Sequence, residues 1–196
     1  MQNVQLLIHG QSVDASNQAT FERISPIDGT VATKAAAATL EDVDRAIDSA
    51  QQAFKVWSKL SPTERRLRLL KAADLMDQKT EQFIETGMQE TGSTATWYGF
   101  NVHLAANMLR EAAAMTTQID GSLIPSDVPG NLAMGVRVPC GVIVGIAPWN
   151  APVILTTRAL AMPLACGNTV VLKASEACPA THRLIGEVLH EAGLGE

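Results

Sequence analysis

Two polar clusters interrupt the apolar carboxyl-terminal third of this chain. The first is Trp149-Asn150, in "GIAPWNAP", directly after the β-branched run "GVIVGIA" of residues 141–147. The second is Lys173, Ser175 and Glu176, at the end of "TVVLKA" and just beyond it. Each run is short and without alternation, the pattern of a strand buried on both faces of a parallel sheet. Open parallel sheets bind ligands outside the carboxyl ends of their strands, which is where both clusters fall. A carboxylate near the end of a second strand is also where a dinucleotide site holds ribose hydroxyls. Glu176 is therefore a ribose candidate, with Lys173 a second donor beside it. The glycine-rich GxGxxG turn is absent, and the same two residues also read as a solvated pair at a strand end.

The other reactive side chains are dispersed. Cys140, Cys166 and Cys178 form an odd, widely spaced set that predicts reduced thiols, with neither a disulfide framework nor a CxxC metal site. His9, His103, His182 and His190 lack metal-ligand spacing and read as surface or packing residues, so no metal site is expected. The formal charge of −5 is spread over residues of both signs without a Lys/Arg block. That argues against nucleic-acid and membrane-surface partners and for a small ligand. "MQNVQLLIHG" has no basic segment followed by a signal-length apolar one, and no apolar run approaches the roughly 18 residues of a membrane span. The chain reads as cytoplasmic.

The elements that must hold these clusters can be read from pattern. "VQLLIHG" (4–10) and "TVATKAAAA" (30–38), separated by "SPIDG", suggest a peripheral hairpin. Thr39 can cap a helix whose apolar face carries Val43, Ile47, Ala50, Phe54 and Trp57. Ser61-Pro62-Thr63-Glu64 is a capping box with proline at the first helical position, opening a helix expected to reach about Thr86. A third helix is expected from Thr94 to about Ile119, with Gly121 beyond it. Residues 122–139, punctuated by Pro125, Pro129 and Gly130, suggest an edge strand or an arm. "PVILTTRALAMPLACGN" joins the two apolar strands as a helix, with Pro163 expected to kink it and Gly167-Asn168 at its exit. "PATHRLIGEVLHEAGLG" supplies one more. A parallel sheet of two strands leaves unpaired edges, so the α/β unit is expected to be incomplete, with a third strand due where the sequence stops.

"GVIVGIAPWNAP", "PLACGNTVVLKASE" and "HEAGLG", with "SAQQAFKVWS", "ERRLRLLKAADLM" and "QETG" upstream, resemble the amino-terminal half of the NAD(P)-dependent aldehyde dehydrogenase superfamily over essentially the whole chain. "TFERISP" and "WYGFNVHLAANMLREAAAMTTQIDG" narrow the resemblance to bacterial members acting on vanillin, then on salicylaldehyde. The fold implied is α/β: an incomplete Rossmann-like NAD-binding domain with a helical amino-terminal part and a protruding oligomerisation strand. Residues 1–121 would be the hairpin and helices, 122–140 the oligomerisation segment, and 141–196 the first strand-helix-strand-helix of the core.

The resemblance also implies roles. Asn150 would donate its side-chain amide to the oxyanion of a thiohemiacetal, a contribution of about 3 kcal/mol for a preorganised donor; the plain alternative is that it caps the next helix. Ile146, Ala147, Pro148 and Trp149 would line the cofactor cleft by their backbone with Ser175, while Lys173 and Glu176 would bind the adenosine ribose. Glu176 favours NAD, since a carboxylate repels a 2′-phosphate; NADP is the alternative, as several members of the family accept both. Ala174 replaces a proline common in the family, which alters loop stiffness only. The nucleophilic cysteine and the general-base glutamate belong to segments beyond residue 196, so the chain alone is expected to be inactive. Ile154 and Arg158 follow Asn150 at i+4 and i+8, a shared helical face on which Arg158 could meet a ring hydroxyl or make a structural ion pair. Trp97 and Asn101, also i and i+4, are further substrate candidates or ordinary core. The activity implied is NAD-dependent oxidation of vanillin to vanillate by a homodimer or homotetramer. Salicylaldehyde or benzaldehyde is the alternative substrate, and a non-catalytic NAD-binding paralogue the alternative of another class.

Overall fold

Short extended segments open the chain and pair in three ways. In the computed structural model, which describes residues 1–195, they are β1 (Gln2–Val4), β2 (Leu6–Ile8), β3 (Gln11–Val13), β4 (Thr20–Ile24) and β5 (Val31–Ala36). β2 and β3 form a tight antiparallel hairpin with His9 and Gly10 both at positive φ in its turn. β4 and β5 form a second hairpin around the "SPIDG" turn, and β1 runs parallel to β5. The single hairpin expected between residues 4–10 and 30–38 is thus replaced by two. The left-handed His9-Gly10 pair reverses the chain at once, within what read as the end of one strand.

Helices α1 (Leu40–Trp57) and α2 (Pro62–Gln78) start at the expected caps. Both caps are reciprocal: Thr39 accepts from the Asp42 N–H while Asp42 accepts from the Thr39 N–H, and Ser61 and Glu64 do the same. α2 does not reach Thr86. It ends at Gln78, and after the non-helical Lys79 the chain starts α3 (Thr80–Thr91). The Thr80 hydroxyl donates to the Asp77 carbonyl at 2.7 Å, satisfying an end that carries no glycine or proline. α4 (Ala95–Met115) is capped by Thr94 and stops four residues short of Ile119. There the Thr116 hydroxyl and N–H both turn back to the Ala113 carbonyl.

Beyond α4, β6 (Ser122–Ile124) and β7 (Ala133–Gly135) make an antiparallel arm. It exposes Leu123, Ile124, Leu132, Met134, Val136 and Val138. β8 (Val142–Ile146), α5 (Pro152–Ala165) and β9 (Thr169–Lys173) form the expected strand-helix-strand unit, with β8 and β9 parallel, and α6 (Pro179–Glu191) follows. The exit glycine of α5, Gly167, has φ +84, the left-handed value that suits glycine at a helix end. Burial of β8 on both faces does not hold. Gly145 faces α5 so closely that an added Cβ would lie 3.3 Å from the Ala159 Cβ, whereas Val144 and Ile146 on the opposite face are exposed.

The core is helical. Leu69, Ala72, Ala73 and Met76 of α2 meet Val102, Ala105, Ala106, Leu109 and Ala113 of α4, and α5 packs on α4 through Val153, Leu160 and Ala161, touching α2 as well. The alanines of α4 keep these axes close, so α5 is held against a rigid backing. Two side chains from far upstream close its end. The Trp57 Nε1–H donates to the Leu164 carbonyl at 3.1 Å, and the Arg65 Nε–H donates to the Ala165 carbonyl at 3.0 Å. They satisfy carbonyls that the helix cannot pair internally. Among the described residues no helix is long and apolar enough to cross a membrane.

Candidate active-site edge

The β8–β9 register decides which polar residues share an edge. Ile146 lies opposite Lys173, and the Ala147 N–H extends the ladder by donating to the Lys173 carbonyl at 3.2 Å. The turn after β8 and the turn after β9 therefore leave the sheet side by side. Pro148, Trp149 and Asn150 are exposed along that edge, as are Ile146, Lys173 and Glu176, while Ala147 is buried.

Asn150 is not part of α5. Pro152 takes the first helical position and Ala151 is the N-cap, without a side-chain capping bond. The helical face expected to join Asn150 to Ile154 and Arg158 thus begins two residues too late to include Asn150, and Asn150 does not cap the helix. Instead its backbone is tied: the Trp97 Nε1–H, on α4, donates to the Asn150 carbonyl at 3.2 Å. Among the described residues the Asn150 side-chain amide has no hydrogen-bond partner, and so is available to a ligand. Trp97 is half-exposed and stacks on Phe100, with ring centroids 5.7 Å apart. Asn101, fully buried one turn on, donates to the Trp97 carbonyl at 2.9 Å and leaves its own Oδ1 unpartnered. Trp97 is brought to the Asn150 turn, with Asn101 buried behind it on α4; Ile154 is buried in α5, and Arg158 is exposed. Among the described residues Arg158 has no ion-pair partner.

Lys173 and Glu176 face each other, Nζ to Oε2, at 3.5 Å and are 62% and 76% exposed, so the contact leaves both heads open to a ligand. A backbone N–H, and then the Lys173 charge, hold the Glu176 carboxyl below the usual carboxylate range. It is an acceptor at neutral pH, next to a cationic donor. Ser175 does not share their exposure. Its side chain is buried, its Oγ accepts the Ala177 N–H at 3.2 Å, and its N–H donates to His182 Nδ1 at 2.9 Å.

Three residues gained importance only from the fold. His182, read as a surface or packing residue, is 2% exposed, and its Nε2 lies 3.8 Å from the Cys178 Sγ. Since Nδ1 accepts, the proton sits on Nε2 in the neutral ring; burial, and then the nearby Lys173 charge, lower its pKa to about 4. Glu90 is 1% exposed at the amino end of α6. Its Oε1 accepts from Thr33 Oγ1 (2.9 Å) and the Ala180 N–H (2.8 Å), and its Oε2 from the Thr181 N–H (2.9 Å) and Oγ1 (2.8 Å). Burial pushes its carboxyl up against the pull of those donors. Glu90 follows Phe83, Thr86 and Gly87 on the buried stripe of α3; a glutamate in phase with a core stripe was the available signal. Tyr98, the third, is also fully buried and lies against Gly87.

The cysteines occupy other places. The Cys140 N–H donates to Asn168 Oδ1 at 2.7 Å, at the amino ends of β8 and β9, opposite the Asn150 edge. Cys166 lies at the same end, after α5. Cys178 is fully buried, and burial pushes its thiol up to about 12. Among the described residues no three His, Cys, Asp or Glu side chains gather as metal ligands.

This arrangement has close counterparts. The sequence profile of the Aldehyde dehydrogenase family matches residues 13–196. A vanillin dehydrogenase of Pseudomonas fluorescens is 64% identical over 196 residues, which is 100% of this chain and 40% of the relative. The crystal structure of a salicylaldehyde dehydrogenase from Pseudomonas putida G7, complexed with salicylaldehyde, superimposes with a TM-score of 0.97 at 48% identity, covering 100% of this chain and 40% of that one. The crystal structure of PnpE in complex with nicotinamide adenine dinucleotide gives a TM-score of 0.95 at 38% identity, over 98% of this chain and 40% of that one. The chain thus spans about 40% of the length of the relatives it matches. Profile, sequence and fold agree over nearly all of its residues: the chain belongs to the aldehyde dehydrogenase family.

Proposed function

We propose that this chain is the amino-terminal part of an NAD-dependent aldehyde dehydrogenase that oxidises vanillin to vanillate in the cytoplasm. The observation that carries the reading is the Ile146–Lys173 register. It sets a free asparagine amide and an exposed Lys-Glu pair along one edge of a parallel sheet, the edge at which such sheets bind ligands. The 64% identity to a vanillin dehydrogenase supports the substrate.

The donor set fits a nicotinamide dinucleotide. An ionised carboxylate accepts two vicinal hydroxyls, the ammonium of Lys173 donates to one of them, and the backbone from Ile146 to Trp149 with the Ser175 turn walls the cleft. Glu176 opposes a 2′-phosphate, so NAD is preferred to NADP. When bound, the nicotinamide supplies the hydride acceptor. Asn150 donates its amide to the substrate oxygen as negative charge develops there, and the Trp97 bond to its carbonyl fixes the backbone that carries the amide. On the aldehyde side the unpaired Arg158 guanidinium meets a ring hydroxyl, while Trp97 holds the Asn150 turn and Ile154 and Asn101, both buried, stand behind the surface. The nucleophile comes from outside this chain.

Residues 1–121 and 141–196 build the cofactor side, and the arm of residues 122–140 offers its apolar side chains to another subunit of a homodimer or homotetramer. The test is the complete protein with vanillin, salicylaldehyde and benzaldehyde, following reduced nicotinamide. The highest kcat/KM is expected for vanillin with NAD, and no turnover of any aromatic aldehyde would overturn the reading.

A further inference from the structure

Between Lys173, the last residue of β9, and Pro179, the first of α6, the chain has five residues in which to turn and present Glu176. Ser175 is the pivot of that turn. Its carbonyl accepts the Cys178 N–H at 3.3 Å and its Oγ accepts the Ala177 N–H. Its own N–H points inward, where water cannot reach, and the His182 ring meets it at 2.9 Å. A buried N–H without an acceptor would be driven to solvent, and the turn would open with it. With Ser175 drawn in, Lys173 and Glu176 on either side of it stay out. His182 is itself fixed, being on the first turns of a helix whose leading N–H groups are held by Glu90.

We infer that His182 is a positioning residue for cofactor binding: by accepting the Ser175 N–H through Nδ1, it holds the turn that aims Lys173 and Glu176 at the adenosine ribose. The inference rests on the ribose reading of that pair given above. It assigns a place in the site to a side chain that touches neither cofactor nor substrate.

The experiment compares the complete protein with its His182→Leu, His182→Asn and His182→Gln variants, measuring Kd for ADP-ribose and NAD by calorimetry, and KM and kcat with aldehyde. Loss of one hydrogen bond is expected to raise the ADP-ribose Kd and the NAD KM about tenfold in His182→Leu. The aldehyde KM, and kcat at saturating NAD, should stay at the wild-type level. Asn places an amide oxygen near the Nδ1 position and should restore binding; Gln places its amide near Nε2 and should not. The Asn–Gln contrast decides the matter even if the leucine variant does not fold. Equal ADP-ribose affinity in all folded variants overturns the inference alone, as does an Asn variant no better than Gln. Wild-type protein that binds neither NAD nor ADP-ribose overturns the ribose reading and this inference together.

Discussion

The indole N–H of Trp97 donates to the backbone carbonyl of Asn150 across 3.2 Å, joining α4 to the turn after β8. The two residues are 53 positions apart, and their link holds the backbone of the exposed Asn150. Trp97→Phe keeps an aromatic ring beside Phe100 and removes only this bond. In the complete enzyme, kcat/KM is expected to fall about fivefold, the worth of one hydrogen bond of about 1 kcal/mol. The fall should be the same for vanillin and for benzaldehyde. A loss confined to hydroxylated aldehydes would show that Trp97 contacts the ring and does not hold the turn.

Glu90 bridges α3, β5 and α6 through four donors on two oxygens. A glutamine there keeps one acceptor oxygen, and whichever way its amide is turned, its NH2 faces the N–H of Ala180 or of Thr181. One backbone donor at the head of α6 loses its partner in either orientation. Glu90→Gln is expected to destabilise by about 2 kcal/mol. A urea midpoint unchanged from wild type would disprove this.

The buried His182 ring makes stability depend on pH. Its pKa falls from an ordinary 6.5 to about 4, because burial, and then Lys173, disfavour the charged ring. Between those values the unfolded chain binds a proton that the folded one does not. The contribution is therefore fully present above pH 6.5 and is lost as pH falls toward 4. By linkage it amounts to up to about 3 kcal/mol. Protonation also sets an Nδ1–H against the Ser175 N–H. Denaturation midpoints measured from pH 7 to pH 4 should fall less steeply in His182→Asn than in wild type.

Gly87 lies on the buried face of α3 directly beneath the Tyr98 ring, and a methyl group there would overlap it. Tyr98 cannot give way, because it is fully buried and its hydroxyl shares a hydrogen bond with Thr91 Oγ1 at 3.2 Å. Gly87→Ala, favourable by helix propensity, is expected to cost about 3 kcal/mol through overpacking. A thermal midpoint at or above that of wild type would show that the helices can separate.

Local signals carried much of this fold. Ser61 and Glu64 marked the start of α2, and the two β-branched runs with a helix between them marked the strand pair on which the candidate site stands. Pro152 also carried the start of α5, since proline favours the first helical position; the spacing from Asn150 to Ile154 and Arg158 extends a helical phase through a turn that is not helical. Other features depend on partners distant in sequence. β1 is three residues long and is a strand only because β5 lies beside it. The break at Lys79 has no glycine or proline. His182 and Glu90 take their importance from an N–H that has no other acceptor and from a helix end 90 residues away, neither of which leaves a local mark.

Trp57 and Arg65 cover the last carbonyls of α5, about a hundred residues downstream of them. During synthesis the caps leave the ribosome well before the helix they terminate. α1 and α2 can pack before α5 emerges, and α5 then meets a surface that already specifies where it must stop. A chain begun at Gly141 would retain every residue of the strand-helix-strand unit and lack that stop. In such a shortened chain the Gly167 and Asn168 N–H groups would still turn back to the Leu164 and Pro163 carbonyls, but the Ala165 carbonyl would lose its partner and the last turn of α5 would be held less firmly.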